Sequence, residues 1–475
     1  MYDLIIIGSG TAGITAYKEA IKHTDNILII NAGPWDTACA RVGCMPSKVL
    51  IASANRMHLI QHAHDLALNI DSEVTPNNVM SRVRELRDFF TQATLKEVNQ
   101  WNPKHKISGH AKFVDAQTVE VDGQYYQAKS FILAVGSRPN IDSKQKEVLG
   151  DRLLSSNEVF ELPTLPKSLA VIGSGVIAIE LSQAMQRLGV KTTVFARSQK
   201  VGSLTSPVLQ ELAQQQLSSE LEIKFKTVPS EMIQQGDQVQ IKFKQNDQAE
   251  ILEVDYVLAA TGRSSNLDQL ELEKIDPSYI EIKNLPIDPS TKQLANHPIF
   301  IIGDAAPDAP IQHEAAYAGK KIVKNCLNYP DVQAIPKLTP LAIVFSQPEM
   351  AIIGKNYQQL QKAKTDFVTG FISYERQGRA RVEATNMGGA EIYVDRSTRK
   401  LLGAELFCAQ AEHLAHLLAW LIGEGVTIDQ ILEKPFYHPT LEEGLRTALK
   451  HARRQLDQYL VHFHLIHLQS AGYGK

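Results

Sequence analysis

The sequence predicts an α/β protein in which two Rossmann-like dinucleotide-binding units precede an α+β domain. Three observations carry that prediction. A strand, a glycine turn and a helix occur in that order twice, at one fixed offset. A later strand ends on a glycine and an arginine in both halves, at Gly136-Ser137-Arg138-Pro139 and at Thr261-Gly262-Arg263. Finally, the stretch from about Ile335 follows neither plan: its strand runs include Ala342 to Phe345 and Ala390 to Val394, and its helical runs include Ala409 to Glu424.

The first unit opens with a strand-like run from Asp3 to Ile7, then Gly8-Ser9-Gly10-Thr11-Ala12-Gly13, a helix to about His23 and a strand Ile27 to Ile30 that ends at Asn31. The second repeats it with Leu169 to Ile172, Gly173-Ser174-Gly175-Val176-Ile177-Ala178, a helix to Leu188 and a strand Lys191 to Phe195. Gly8 maps onto Gly173, Gly10 onto Gly175 and Gly13 onto Ala178, each 165 positions on. The first glycine allows the tight turn and the second lets the backbone approach a pyrophosphate. The third small residue lets helix and strand pack, with the helix N-terminus facing the phosphates. One such turn is weak; two in the same context imply two bound dinucleotides. A mostly helical stretch (Ser47 to Asn99) and a β-rich region ending at Phe131 to Val135 lie between the units. Strands at Val254 to Ala260 and at Ile299 to Ile302, the latter before Gly303-Asp304-Ala305, complete the plan.

With 475 residues the chain is long enough for several domains. Its formal net charge of −3 supplies no broad basic field, which argues against a nucleic-acid partner. No apolar run reaches the roughly 18–20 residues of a membrane span. The apolar stretch Tyr2 to Gly8 lacks a basic leader and a small-residue cleavage site, so it reads as a first strand and not a signal peptide; a cytoplasmic chain is expected.

There are four cysteines, Cys39, Cys44, Cys326 and Cys408, too few for a secreted disulfide scaffold of this length. Cys326 falls in an amphipathic helix and Cys408 at a strand end, and both read as structural. Cys39 and Cys44 stand five positions apart in Cys39-Ala40-Arg41-Val42-Gly43-Cys44-Met45-Pro46-Ser47-Lys48. In a regular helix such positions lie roughly 8–9 Å apart, beyond the ~4.4–6.8 Å of a disulfide. Bridging therefore needs an irregular backbone, and Gly43 supplies the freedom. A helix starting nearby would lower a thiol pKa. Two unrelated core thiols and a zinc site are the alternatives; no second Cys/His pair with ligand spacing accompanies the cysteines, so no metal is expected.

Together with the double dinucleotide plan, Cys-x4-Cys-x-Pro-Ser-Lys and the late Tyr437-His438-Pro439-Thr440-Leu441-Glu442-Glu443 resemble the flavoprotein disulfide reductases, over essentially the whole chain. Dihydrolipoamide dehydrogenase, glutathione reductase and mercuric reductase belong to that class. The resemblance implies an FAD-binding domain over 1–150, an NAD(P)-binding domain over 151–268, a central region completing the FAD site over 269–334, and an interface or dimerisation domain over 335–475. FAD would contact Gly8, Gly10, Gly13, Asn31, Ala111 in Gly109-His110-Ala111, Gly136, Ser137, Asp304, and Ile311, Gln312 and His313. Lys48 would lie by the flavin ring and pair with Glu180. Gly173, Gly175 and Gly262 would hold NADP or NAD. Cys44 would be the flavin-proximal thiol and Cys39 the interchange thiol. His438, oriented by Glu443, would move protons across the interface of a homodimer, a task suited to an imidazole.

The sequence departs from the family pattern at three places. Asp36 and Arg41 place charges beside the dithiol, where members usually have Gly and Asn. Asn31 replaces the acidic residue that binds the FAD ribose. Ala196-Arg197 stands where NAD-specific members carry an acidic residue; losing a carboxylate and gaining an arginine suits a 2′-phosphate, so NADPH is expected.

No cysteine pair near the C-terminus supports a mercuric reductase. Lys18 stands where glutathione reductases carry an arginine, and Pro-Ser-Lys is nearer to dihydrolipoamide dehydrogenase. Lipoamide is therefore the leading small disulfide/dithiol substrate. Another small disulfide or a quinone is the alternative, and a non-catalytic flavin-binding regulatory protein is the alternative of another class. The tail His451 to Lys475, with His462, His464 and His467, reads as a packing helix.

Overall fold

The structure, a computed structural model, describes residues 1–71, 74–306 and 310–470, with side chains to residue 458. The chain opens with β1 (Leu4–Ile7), α1 (Thr11–Ala20) and β2 (Ile27–Asn31), then α2 (Ala38–Val42), α3 (Cys44–Gln61), α4 (Val79–Asn99) and β3 (Lys106–Ser108). A meander of β4 (Lys112–Asp115), β5 (Thr118–Val121) and β6 (Gln124–Gln127) leads to β7 (Phe131–Leu133) and β8 (Ser137–Pro139).

The second half begins with α5 (Ser143–Leu149), β9 (Leu153–Leu154), β10 (Ser168–Ile172), α6 (Val176–Arg187), β11 (Lys191–Ala196), α7 (Pro207–Ser218) and β12 (Glu222–Phe225). It continues with the meander β13 (Pro229–Gln235), β14 (Gln238–Gln245) and β15 (Gln248–Val254), then β16 (Tyr256–Ala259) and β17 (Arg263–Ser265). Next come β18 (Ile299–Ile301) and α8 (Gln312–Asn328). The last part holds β19 (Leu341–Val344), β20 (Glu349–Gly354), α9 (Tyr357–Lys362), β21 (Phe367–Ser373), α10 (Gly378–Val382), β22 (Gly389–Asp395), β23 (Leu401–Cys408), α11 (Ala411–Gly423), α12 (Ile428–Leu432) and α13 (Glu442–Ser470).

The repeat read in the sequence is a repeat in space. Parallel strands run β18-β7-β1-β2-β3 in the first sheet and β9-β16-β10-β11-β12 in the second. Even the register is shared: Ile7 faces Ile30, and 165 positions on Ile172 faces Phe195. The strands are apolar on both faces, as a parallel sheet buried between helices requires. The first turn is the tighter one. A Cβ at Gly13 would fall 1.9 Å from the Gly8 carbonyl oxygen, whereas the second unit accommodates a fully buried Ala178.

The first sheet draws its outer strand, β18, from far along the chain, and α8 packs on α1. The predicted strand Val254 to Ala260 is split. Asp255 turns the chain by accepting from the backbone of Lys167 and Ser168 at 2.7 and 3.2 Å, so β15 ends before it and β16 begins after it. The C-terminal part is an antiparallel sheet, β19-β20-β23-β22-β21, covered by α11 and α13. Cys326 and Cys408 are buried, in α8 and at the end of β23. Of the tail, α13 continues to Ser470; His462, His464 and His467 lie outside the described side chains. Among the described residues no helix is long and apolar enough to cross a membrane.

Candidate active site

Helix α2 is capped by Thr37, whose hydroxyl accepts from the backbone of Ala40 at 3.1 Å, and it stops after five residues. The chain breaks at Gly43 and restarts as α3 with Cys44 as its first residue. A Cβ at Gly43 would come within 3.1 Å of the Ala38 carbonyl oxygen and 3.2 Å of the Cys39 Cα, so the two helices close up most tightly over a glycine. This kink is what brings the thiols into mutual hydrogen-bonding reach.

The two sulfurs are not equivalent. Cys44 is held at about 6, first by the hydrogen bond from Cys39 and then by the Lys48 ammonium, against the cost of desolvation. Its place at the start of α3 acts in the same direction. Cys39 is pushed well above the ordinary thiol range, because its S–H donates a hydrogen bond to the Cys44 sulfur and is partly buried. Within the reduced pair the thiolate is thus favoured at Cys44 and the proton on Cys39.

Lys48, one turn along α3, donates to Glu180 Oε2 at 2.8 Å, and its Nζ lies 4.5 Å from the centroid of the Phe345 ring. Glu180 is buried in α6; its other oxygen accepts the backbone N–H of Phe345 at 2.8 Å. The pair therefore ties the dithiol helix to the second unit and to the C-terminal part. Asp36 and Arg41, the charges expected beside the dithiol, pair with each other at 3.0 Å.

Around the first glycine turn, α1 starts at Thr11 with no side chain capping its N-terminus, and a Cβ at Gly10 would meet nothing within 4 Å. That is a cradle with free N–H groups, the form a pyrophosphate needs. Asn31 lies against it with Oδ1 accepting from Ser9 N at 3.2 Å. Both hydrogens of its amide go to its own loop, to the carbonyls of Gly33 and Pro34 at 2.7 and 2.9 Å. The amide hydrogens are thus already engaged, and toward a ribose Asn31 has only its carbonyl oxygen to offer. Gly109 N donates to Asn31 O at 3.0 Å, which sets Gly109-His110-Ala111 beside it.

Strands β8 and β17 pair as a two-stranded ribbon next to Gly136 and Gly262. Ser137 donates to Asp304 Oδ2 at 3.3 Å and receives Arg263 on its side chain and carbonyl at 2.9 and 2.7 Å. Burial holds the Arg263 guanidinium below its ordinary value, and Asp304 and then Cys44 oppose that, so the ribbon, Asp304 and the dithiol lie in one electrostatic neighbourhood. Arg263 was not among the expected site residues, although the repeated glycine–arginine ending was its signal. Gln312 opens α8 with Ile311 before it and an exposed His313 after it; residues 307–309 lie outside the described ones.

In the second unit, α6 likewise starts uncapped after Gly175, and a Cβ there would meet open space. Arg197 is exposed just beyond β11, in a loop that folds back on this turn: Ser174 Oγ donates to the Lys200 carbonyl at 2.7 Å. Gly173 packs against the Ala260 carbonyl, where a Cβ would fall at 2.4 Å, and Gly262 O accepts from Asn140 N at 3.0 Å.

His438 lies in the loop before α13. Its side chain is 80 % exposed and its Nδ1 lies 3.1 and 3.0 Å from the two oxygens of Glu443. That bond, followed by the Thr440 N–H, holds the Glu443 carboxyl below its ordinary value. The loop between them is held from below by Gln377, which donates to Thr440 O at 2.7 Å, and by the buried Tyr374, which donates to Leu441 O at 3.3 Å. Lys18, in turn, is occupied by Glu97 at 2.6 Å.

Comparison with known proteins agrees with this geometry. A family model described as pyridine nucleotide-disulphide oxidoreductase matches residues 2–321, and the dimerisation domain of the same family matches residues 341–449. A mercuric reductase of Lysinibacillus sphaericus is 29% identical over 94% of this chain and 82% of its own length. A dihydrolipoyl dehydrogenase of Mycoplasma pneumoniae is 27% identical over 95% of this chain and 98% of its own. Among solved structures, LpdA of Mycobacterium tuberculosis shares the fold with a TM-score of 0.78 at 20% identity, over 96% of this chain and 100% of that one. The HOCl-induced flavoprotein disulfide reductase RclA of Escherichia coli does so with a TM-score of 0.75 at 18% identity, over 94% and 99%. The chain belongs to the pyridine nucleotide-disulphide oxidoreductase family, as an FAD-dependent enzyme that works with NAD(P)H.

Proposed function

We propose that the chain reduces, or reversibly oxidises, a small disulfide/dithiol through Cys39 and Cys44, with lipoamide as the leading substrate and NADPH as the preferred nucleotide. The observation that carries the reading is the dithiol at the helix break: Cys39 ends up in α2 beside Cys44, which opens α3 one turn before Lys48, itself held by Glu180. FAD bound at the first glycine turn would supply the two-electron relay between the nucleotide and this pair. The division into 1–150, 151–268, 269–334 and 335–475 belongs to the same proposal.

In the reducing direction Cys39 must first lose its proton, and its raised pKa calls for a base. His438, held by Glu443, takes that proton. The Cys39 sulfur attacks one substrate sulfur; the substrate S–S bond breaks, and the leaving thiolate collects the proton from His438. Cys44 then attacks Cys39, releasing the second thiolate and closing the Cys39–Cys44 disulfide with two electrons passed to the substrate. Because His438 faces solvent with Glu443 as its one hydrogen-bond partner among the described residues, it serves the dithiol of a second copy in a homodimer, as the dimerisation match supports. A cytoplasmic setting suits a dithiol that must be kept reduced.

The glycines of the first turn, with Asn31, Ala111, Ser137, Asp304 and the start of α8, form the FAD contacts, and Gly173, Gly175 and Gly262 the nucleotide contacts. Arg197 in place of a carboxylate supports NADPH. The mercuric reductase relative raises a metal-ion substrate, but the lack of a second cysteine pair favours a dithiol. A steady-state matrix of NADH and NADPH against lipoamide, glutathione disulfide and a quinone tests the reading. Lipoamide turnover lost in Cys39→Ala supports it; quinone turnover alone, indifferent to Cys39, refutes it.

A further inference from the structure

Between β11 and α7 the chain runs through residues 197–206, the loop that carries Arg197 and Lys200. Its near side is pinned to the second glycine turn, by Ser174 Oγ on the Lys200 carbonyl and by Gly202 N on the Ser174 carbonyl at 2.8 Å. Gln210 of α7 closes its middle, accepting from Val201 N at 3.1 Å and donating to the carbonyls of Val201 and Leu204 at 2.8 Å each.

The far side is held by the C-terminal sheet. Glu405, on β23 and fully buried, accepts from Thr205 N at 2.6 Å and Ser206 N at 3.0 Å on one oxygen. Its other oxygen accepts from the Thr205 hydroxyl at 2.5 Å and from Tyr357 N at 2.9 Å. Thr205 Oγ1 also receives Gln358 N at 3.2 Å. Met350 of β20 closes the contact under Gly202, where a Cβ would fall 2.2 Å from its sulfur.

This carboxylate sits where a sheet would not by itself favour one. Its cross-strand partner in the β22–β23 register is another buried carboxyl, Glu391, and like charges directly opposite are unfavourable. An apolar residue at 405 would suit the sheet core better. What Glu405 provides is the satisfaction of four donors, three of which belong to Thr205 and Ser206 at the end of the loop.

We infer that Glu405 is a positioning residue for the pyridine nucleotide, fixing the Arg197 loop against the second glycine turn from the C-terminal domain. The loop then presents Arg197 at one height to the 2′ substituent of the adenosine ribose. The inference rests on the reading that the second unit binds the nucleotide.

The test is steady-state kinetics of the FAD-loaded enzyme with Glu405→Gln, Arg197→Ala and the double variant. Glutamine keeps the shape but must turn an NH2 toward N–H donors. Glu405→Gln is expected to raise KM for NADPH about tenfold, the size of one charge-assisted hydrogen bond. Its kcat and its KM for the disulfide should stay within about twofold. In the Arg197→Ala background it should add less than about twofold, because the contact it positions is gone. An unchanged nucleotide KM in Glu405→Gln overturns the inference, as does a rise in both KM values together that adds independently of Arg197. Arg197→Ala alone tests the NADPH reading: if its KM is that of the wild type, that reading fails, while the nucleotide KM of Glu405→Gln still decides the positioning. Should Glu405→Gln not fold, Thr205→Val removes one of the same bonds, and a nucleotide KM equal to the wild type's counts against the inference.

Discussion

Removing the Cys39 sulfur gives the most direct view of why Cys44 is a thiolate. In the wild type the Cys39 S–H is the leading influence holding Cys44 at about 6, ahead of the Lys48 ammonium. A hydrogen bond to a charged group is worth about 1.5–3 kcal/mol, or about one to two pKa units. The Cys44 side chain is exposed, so solvent screening favours the lower end, about one unit. Cys39→Ala should therefore move the Cys44 titration from about 6 to about 7, leaving Lys48 and the start of α3 to account for the remaining depression. At pH 6.5 the thiolate fraction would fall about threefold, and alkylation of Cys44 by iodoacetamide should slow in proportion. Prior reduction and peptide-level mass spectrometry isolate the Cys44 adduct across a pH series. A midpoint still at about 6 in Cys39→Ala would refute the hydrogen bond as the leading cause and transfer the effect to Lys48 and the helix terminus.

Three further outcomes follow from the same geometry. Lys48→Met leaves Glu180 buried with the Phe345 N–H as its remaining hydrogen-bond partner among the described residues. With Lys48 itself a third exposed, the loss should be about 1–2 kcal/mol, read as a lower Tm by calorimetry and partly recovered in Lys48→Met/Glu180→Gln. His438→Ala should lower disulfide turnover about a hundredfold or more and Glu443→Gln about tenfold, with nucleotide KM unmoved; equal activity in all three proteins would exclude the pair from proton transfer. Gly43→Ala forces the Ala38 carbonyl and Cys39 Cα back by a few tenths of an ångström, so kcat should fall a few-fold at unchanged FAD content, and an unaltered kcat would mean the helix break tolerates a side chain.

The parts of the fold that were legible in the sequence are those where local sterics admit few residues. The glycine turns announce themselves because Gly13 cannot carry a Cβ beside the Gly8 carbonyl, and the helix break because a Cβ at Gly43 would press on Ala38. The sheet strands read as apolar runs because both their faces are covered. What the chain brings together over distance was much less visible. Lys48 and Glu180 are 132 positions apart, and only the resemblance to a family joined them. The engagement of Asn31 by its own loop, the mutual pairing of Asp36 and Arg41, and the hold of Arg263 on Ser137 beside Asp304 depend on how loops fold back, which no periodicity encodes. Asp255 ended one strand and began another through two backbone bonds to a segment almost ninety positions earlier.

The break at Gly43 also limits how much the fold notices its own chemistry. Because the two thiols are joined across a helix-to-helix step and not across a domain, the ring closed by oxidation spans only residues 39–44. Loop-closure entropy for so short a ring is worth about 2 kcal/mol, less than half the value for a ring of a hundred residues. Each turnover opens and closes that ring, yet the stability of the surrounding sheets scarcely changes with it. The oxidised and reduced proteins should melt within a few degrees of each other, on one scaffold that persists through the cycle.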